Sequence, residues 1–341
     1  MSTTPKLLKM WQRIGTHSGA FHCDEALACF MLLELSPSSK SVDIIRSRDQ
    51  KILDTCDIVV DVGGVFDPDK LRFDHHQRGF VESLSSLIKG KKYTTKLSSA
   101  GLVYAYFGLD LISKLTGLES TSSDCSLLFD KMYEGFIEAV DAIDNGISIC
   151  DAPTRYSIHT DLSSRIKHMN PVWNDKNPDE DALFKSAVAY VGNEFKSRVS
   201  YYSNVWLPAR GIVRDAIEKR FDFHASGRII HFEDVVPWKE HLFLLENELA
   251  ISGEILYVIY KDKEQKFRIQ CVSISPDSFE NRLSLPEQWR GLRDDVLSNI
   301  AGIENCVFVH SNGFIGGNKT KSGILEMAVK SLAMGSGDGK V

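Results

Sequence analysis

The chain is 341 residues long, 43% hydrophobic and 25% charged, a composition that suits a folded protein of two domains and excludes a disordered one. Lys and Arg number 40 against 46 Asp and Glu; the net charge of −6 excludes a broad basic surface for nucleic acid, though not a grip on one phosphate through bound metal. Seven scattered cysteines without a CxxC spacing point to reduced intracellular thiols and exclude a disulfide framework or a zinc ribbon.

The opening MSTTPKLLKMWQRIGTH has neither the apolar run of a secretory signal nor an arginine before position 13, so no targeting peptide is expected and the cytoplasm is the default location. No apolar run is long enough to cross a bilayer. WQRIGTH reads as a short strand, DEALACFMLLEL as a buried or amphipathic helix and SVDIIRS as a second strand. RDQKILDTC then reads as a short helix and DIVVDVGG as a third strand, closed by a Gly-Gly turn. This alternation predicts an α/β fold with a parallel sheet and crossover helices over residues 11–225. Residues 97–149 read as mostly helical, and Phe136, Val140, Ile143 and Ile147 recur at helical spacing. That spacing puts Asp141, Asp144 and Asn145 together on a neighbouring face. A stripe from Leu183 to Tyr202 marks a long core-facing helix, and PARGIVRDAIEKRF another. The polar break FDFHASG sets a domain boundary near 225. Beyond it, RIIHF, ILYVIY, FRIQCVSI and CVFVH read as strands, followed by the Gly-rich FIGGNKTKSG and the helix ILEMAVKSLAM. These predict a smaller α+β domain over 226–335, with GSGDGKV as a frayed tail.

Parallel sheets bind ligands at the carboxyl ends of their strands. His17, Asp61 and the triplet Asp74, His75 and His76 each stand where a strand candidate stops, and GTHSGAFHCDEALACF adds His22 and Asp24. Asp24 and Glu25 also suit the cap and first turn of a helix, and DHH also suits a polar turn, but capping does not explain two histidines in the preceding loop. With the Asp141/Asp144 face, the supply is about eight nitrogen and oxygen ligands on one rim, enough for two divalent cations. A carboxylate bridges two ions where a neutral imidazole does not, so Asp61 is the expected bridge. His17 and His22 are assigned to one ion; Asp24, His75 and one of Asp141 and Asp144 to the other; and His76 to the scissile phosphate. Water held between two cations ionises near neutral pH, so the expected chemistry is metal-assisted hydrolysis of a phosphate ester or anhydride.

The series His17, His22-x-Asp24, Asp61, Asp74-His75-His76 and Asp141 resembles the DHH phosphoesterase superfamily. THSGAFHCDEALA, DIVVDVGG, FDHHQRGF, TKLSSAGLVY, VDAIDNGIS, WLPAR and FVHSNGFIGG are similar, more closely, to the melanocyte proliferating gene family, over nearly the whole chain. The resemblance implies a Rossmann-like, mostly parallel domain that carries the metals and a C-terminal domain that contributes substrate contacts. It also implies a manganese-dependent 3′-to-5′ exoribonuclease of the nucleus and mitochondrion, with two Mn²⁺ (or Mg²⁺) ions, acting on single-stranded RNA 3′ ends; Asp61, Asp74 and His76 are then the catalytic residues. The chain departs from the superfamily in having H-x4-H-x-D where H-x3-D-x-D is usual. It departs from the closer family at Ser18 and Ala20, where Asn and Thr are common, and Asn318 stands where a histidine often follows the glycines.

In the C-terminal half, Gly316 and Gly317 between a strand and a helix would let backbone amides approach a phosphate, with Lys319 and Lys321 adding charge; an ordinary glycine turn is the alternative. Arg268, Arg290 and Arg293 are candidate contacts to a nucleotide backbone or a solvated face, and His310 is a cleft residue or a core histidine. Arg268, His310, Gly316, Gly317 and Lys319 form the expected substrate-binding set. His159, His168, His224, His231 and His241 read as structural or exposed, and Trp173, Trp206, Trp238 and Trp289 as packing residues rather than base-stacking ones. Two other readings keep the same residues: a hydrolase of small phosphate esters such as pyrophosphate, oligonucleotides or nucleotides, and a non-catalytic scaffold around a structural ion, which needs fewer carboxylates. The oligomeric state stays open, a homodimer included.

Overall fold

The structure, a computed structural model, describes residues 11–37 and 41–335. The first ten residues, to which the targeting expectation applies, and the tail from Ser336 lie outside the described residues. Two compact units, Met1–Asn204 and Val205–Val341, make up the chain. This division comes about twenty residues ahead of the expected boundary near 225, because the helix over Leu207–Glu218 sends Val213 and Ile217 into the second core.

The first unit holds β1 (Arg13–Thr16), β2 (Asp43–Arg46), β3 (Ile58–Val60), β4 (Phe66–Asp67) and β5 (Arg72–Phe73), in the sheet order β2-β1-β3-β5-β4. All neighbours are parallel except the edge pair β4 and β5, so the expected mostly parallel α/β architecture is what forms. Its helices are α1 (Cys23–Leu35), α2 (Gln50–Leu53), α3 (Leu84–Leu87), α4 (Ser99–Thr116), α5 (Ser123–Met132), α6 (Glu138–Asp144), α7 (Leu162–Lys167) and α8 (Glu180–Tyr201). Every residue of α1 from Cys23 to Leu32 is buried, and the helix packs on both α4 and α8. That is why DEALACFMLLEL has no polar stripe: a helix enclosed on all sides needs none.

A π turn over Tyr133–Ile137 joins α5 to α6. The wider turn changes the phase of the helix. The inward stripe is therefore Ile137, Val140 and Asp141, while Ile143 and Ile147 are exposed, against the spacing expected from Phe136, Val140, Ile143 and Ile147. A buried acid at 141 is a direct result.

The second unit contains α9 (Leu207–Glu218), α10 (Arg220–Phe223), β6 (Ile229–Phe232), α11 (Lys239–Glu248), β7 (Tyr257–Lys261), β8 (Phe267–Cys271), α12 (Asp294–Ala301), β9 (Cys306–Val309), β10 (Ile315–Asn318) and α13 (Lys321–Gly335). The sheet order is β6-β7-β8-β10-β9, with β6 and β7 parallel and the rest antiparallel. Alternation along the strands divides two cores. Ile229, Tyr257, Ile259 and Ile269 meet Leu297, Ile324 and Met327 on one face; Ile230, Phe232 and Val258 meet Val213, Ile217, Leu242 and Leu245 on the other.

All seven cysteines are free thiols, and six are buried. No helix among the described residues is long and apolar enough to cross a membrane.

The glycines of α8 and α9 give opposite expectations. A Cβ at Gly192 would overlap the buried Phe30 ring where α8 crosses α1, whereas one at Gly211, at an exposed position of α9, meets nothing within 4 Å. Gly192→Ala should destabilise by about 1–3 kcal/mol and Gly211→Ala should stabilise by about 0.5–1 kcal/mol, as read by urea denaturation of each variant.

Candidate metal centre

The three inner parallel strands end side by side, and each hands its next residue to the same spot. His17 follows β1, Asp61 follows β3, and Asp74, His75 and His76 follow β5. The N-terminal turn of α1 faces them with His22, Asp24 and Glu25. Asp61 has a left-handed backbone, φ 59°, uncommon for a residue with a side chain. Its amide donates to Phe73 O at 3.2 Å, which holds the turn against β5.

His17 Nε2 is 2.8 Å from Glu25 Oε1 and 3.3 Å from Asp61 Oδ2. The other Asp61 oxygen lies 3.2 Å from His75 Nε2 and accepts from Ser99 Oγ at 3.2 Å. His75 Nε2 is also 3.1 Å from Asp144 Oδ2 and 3.9 Å from Asp24 Oδ2. These approaches crowd His75 with oxygens, yet neither of its ring nitrogens has an aligned hydrogen bond; nor do the two carboxylate oxygens of Asp24 or Glu25 Oε2, all of them buried. Each such orphan costs roughly 1–3 kcal/mol. A cation among them would satisfy several at once. Among the described residues, the groups able to hold an ion are His17, His22, Glu25 and Asp61; Asp61, His75 and His76; and His22, Asp24 and Asp144. Asp61 belongs to two of these, and the imidazole and carboxylate donors fit a divalent transition metal.

The charges follow from this crowding. Burial alone would lower the His17 imidazole, but Asp61 and Glu25 outweigh it and raise it to about 10. His75 rises to about 10 in the same way, burial being overcome by Asp144 and Asp61. Burial pushes the Asp61 carboxyl up, yet the two imidazoles hold it well below the usual carboxylate range. Asp24 is pushed well above that range by burial, with Asp61, Glu25 and Asp144 adding to it. Cys23 also lines the cleft; burial raises its thiol to about 12, which removes it as a nucleophile.

Asp141 is brought close but not into the cluster. Its Oδ1 accepts from Ser98 N at 3.0 Å, Ser98 Oγ at 2.7 Å and Gly101 N at 3.0 Å, and its Oδ2 from Tyr133 Oη at 3.1 Å. A carboxylate so occupied caps α4 and has little left for an ion. Of the Asp141/Asp144 pair it is Asp144 that meets His75. Asp74 is likewise engaged: Oδ2 accepts from Gly64 N at 2.6 Å, and Oδ1 lies 2.7 Å from His76 Nδ1. It orients the exposed His76 ring and stays out of the cluster. The sequence presents Glu25 only as a possible first-turn acid; it accepts the capping bond from His22 N at 2.8 Å and still reaches His17. Ser99 was missed, its only signal being the doubled serine ahead of a helix. The cluster opens on a cleft of about 610 Å³, whose wall includes Lys96 and Lys167.

The family model described as Uncharacterised protein family (UPF0160) matches residues 13–332. The chain belongs to this family. Among similar curated proteins, the MYG1 exonuclease of Bos taurus is 52% identical over 323 residues, covering 94% of this chain and 84% of its own length. The MYG1 exonuclease of Homo sapiens is 50% identical, covering 95% and 86%. The MYG1 protein of Dictyostelium discoideum is 46% identical, covering 94% and 96%.

In this UPF0160 member the expected substrate-binding residues of the second unit are arranged differently from the phosphate loop foreseen. Gly316 and Gly317 lie inside β10, paired to β8 and β9, so their amides belong to a sheet and not to a helix N-terminus. Gly317 lacks a side chain because the Arg268 guanidinium occupies the space above it. Arg268 packs on Phe308 and pairs with Asp262 at 2.5 Å. His310 and Lys319 are exposed at the ends of β9 and β10. Arg290 donates to Leu285 O at 3.0 Å, a structural role.

Raised imidazoles have a measurable consequence. The ion-free UPF0160 chain holds protons on His17 and His75 at pH 7, and a cation must displace them. Titration with Mn²⁺ by calorimetry, in buffers of differing ionisation enthalpy, should register proton release, and affinity should rise with pH. Because the folded values lie above the ordinary 6.5, the stability these two groups give the ion-free chain is complete below pH 6.5 and is lost as pH climbs through about 10.

Proposed function

We propose that this chain is a divalent-metal-dependent phosphodiester hydrolase that shortens single-stranded RNA from its 3′ end, with Mn²⁺ as its ion. The observation that carries the reading is the set of buried polar atoms without hydrogen-bond partners, on Asp24, Glu25 and His75, gathered about Asp61 at the floor of an open cleft. Structural ion sites are closed and rarely this rich in carboxylates. The relatives from cattle and human carry the name exonuclease, which supports a nuclease.

We assign His17, Glu25 and Asp61 to one cation, and Asp24, His75 and Asp144, again with Asp61, to the second; His22 stands between the two sets. A pair of divalent ions supplies Lewis acidity that neutralises phosphate charge and lowers the pKa of water. The remaining residues bind and orient. Asp74 fixes His76 through Nδ1, leaving Nε2 to hydrogen-bond a phosphate oxygen. Lys96 and Lys167 offset phosphate charge from the cleft wall, and Ser99 holds Asp61 in place.

The cleft volume of about 610 Å³ is ordinary for a small-molecule site and favours, as a second reading, a hydrolase of nucleotides or pyrophosphate. Labelled RNA separates the two. With Mn²⁺, a 24-mer labelled at its 5′ end should give a descending ladder, and one labelled at its 3′ end should release labelled mononucleotide at once. Cleavage of pyrophosphate or mononucleotides with the 24-mer left whole would favour the second reading. Activity should vanish in EDTA and return with Mn²⁺. Asp61→Asn, which keeps the left-handed turn, should lower the rate by more than about 100-fold, beyond the range of outer-shell changes; a rate near wild type would remove Asp61 from its bridging role.

A further inference from the structure

Of the five tryptophans, Trp11, Trp206, Trp238 and Trp289 are 6% exposed or less, whereas Trp173 is 96% exposed. A bare indole in a folded protein asks for an occupant. It is not alone in its stretch of chain. Ile149 is 83% exposed and Tyr156 75%, and Ile158 and Val172 are exposed as well.

The ends of this stretch are fixed to the cleft. Asp144 and Asn145 line it at one end; Ser163, Ser164 and Lys167 line it at the other, so the chain leaves the cleft wall at 145 and returns to it at 163. Beyond α7 the Asn170 side chain donates to Phe21 O at 2.8 Å and accepts from Phe21 N at 2.8 Å. Phe21 precedes His22 of the metal cluster, so this pair of hydrogen bonds pins the turn carrying Val172 and Trp173 to the same rim. Arg155, Lys167 and His168, all exposed, set basic groups among these apolar ones, alongside the acids Asp151 and Asp161.

Exposed aromatics interleaved with cations beside a cleft lined by His75, His76, Lys96 and Lys167 match the requirements of a single strand, whose bases stack and whose backbone is anionic. We propose that residues 146–173 form the platform that grips the single strand outside the cleft, with Trp173 and Tyr156 stacking on bases upstream of the terminal nucleotide. This rests on the nuclease reading for its biological sense, but it is tested by binding alone.

In EDTA, where no hydrolysis occurs, a single-stranded 24-mer should quench the fluorescence of the intact protein, and Trp173→Phe should abolish most of the quench. A quench that persists in Trp173→Phe, or no quench at all, overturns the platform. Quenching by RNA in a protein that never cleaves it with Mn²⁺ leaves the platform standing and removes the nuclease reading. With Mn²⁺, Trp173→Ala with Tyr156→Ala should lower the ratio of kcat/KM for the 24-mer over that for a dinucleotide by roughly tenfold or more, the loss falling in KM. An unchanged ratio overturns the proposal. So would sedimentation showing the wild type as a dimer that these changes split, with no RNA-dependent quench, since the apolar stretch would then be a contact between two copies.

Discussion

Asp24, Glu25, Asp61, His17 and His75 are shut away from water, Asp24, Glu25 and His75 with polar atoms that lack a hydrogen bond, and the arrangement of the first unit follows from that constraint. A charge in such a place is tolerable only beside an opposite one. Protonated imidazoles provide that charge in the ion-free chain, and cations do so when present, through the same atoms. The fold supplies the means of assembly. Parallel strands end in register, α1 enters with two acids in its first turn, and β3 finishes on a left-handed aspartate that turns its carboxylate back over the sheet.

Around this unsatisfied centre lies a ring of acids that lack nothing. Asp141 has four donors and Asp74 has a backbone amide and an imidazole. The contrast sorts the carboxylates by physical state: those with full hydrogen-bond complements are framework, and those without are available to a ligand. Gly101 shows how closely the framework is fitted, since any side chain there would strike the Asp141 carboxylate.

The sequence revealed the strand-end logic well. A strand stop followed by His or Asp, repeated three times, located His17, Asp61 and His75 because parallel sheets expose those positions by geometry. Its failures have particular causes. Asp141 and Asp144 could not be separated because a π turn, invisible to a 3.6-residue period, set which one faced inward. Gly316 and Gly317 look like a turn because glycine is common there, yet in β10 the reason is close approach, by the Arg268 guanidinium at Gly317 and by Leu285, Phe308 and Val309 at Gly316. Glu25 was obscured by its own capping role. Trp173 carries no local sign that separates it from Trp206, Trp238 and Trp289, the other expected packing residues; only three-dimensional packing sets it apart.

The seating of Asp141 on α4 has one more effect. An eighteen-residue helix ends in unpaired amides and a partial positive charge, the place where proteins often receive a phosphate. Here the protein's own carboxylate fills that seat permanently. The dipole of α4 is thereby closed to an incoming oxyanion, and the cleft wall leaves it the exposed His76, Lys96 and Lys167 as polar partners.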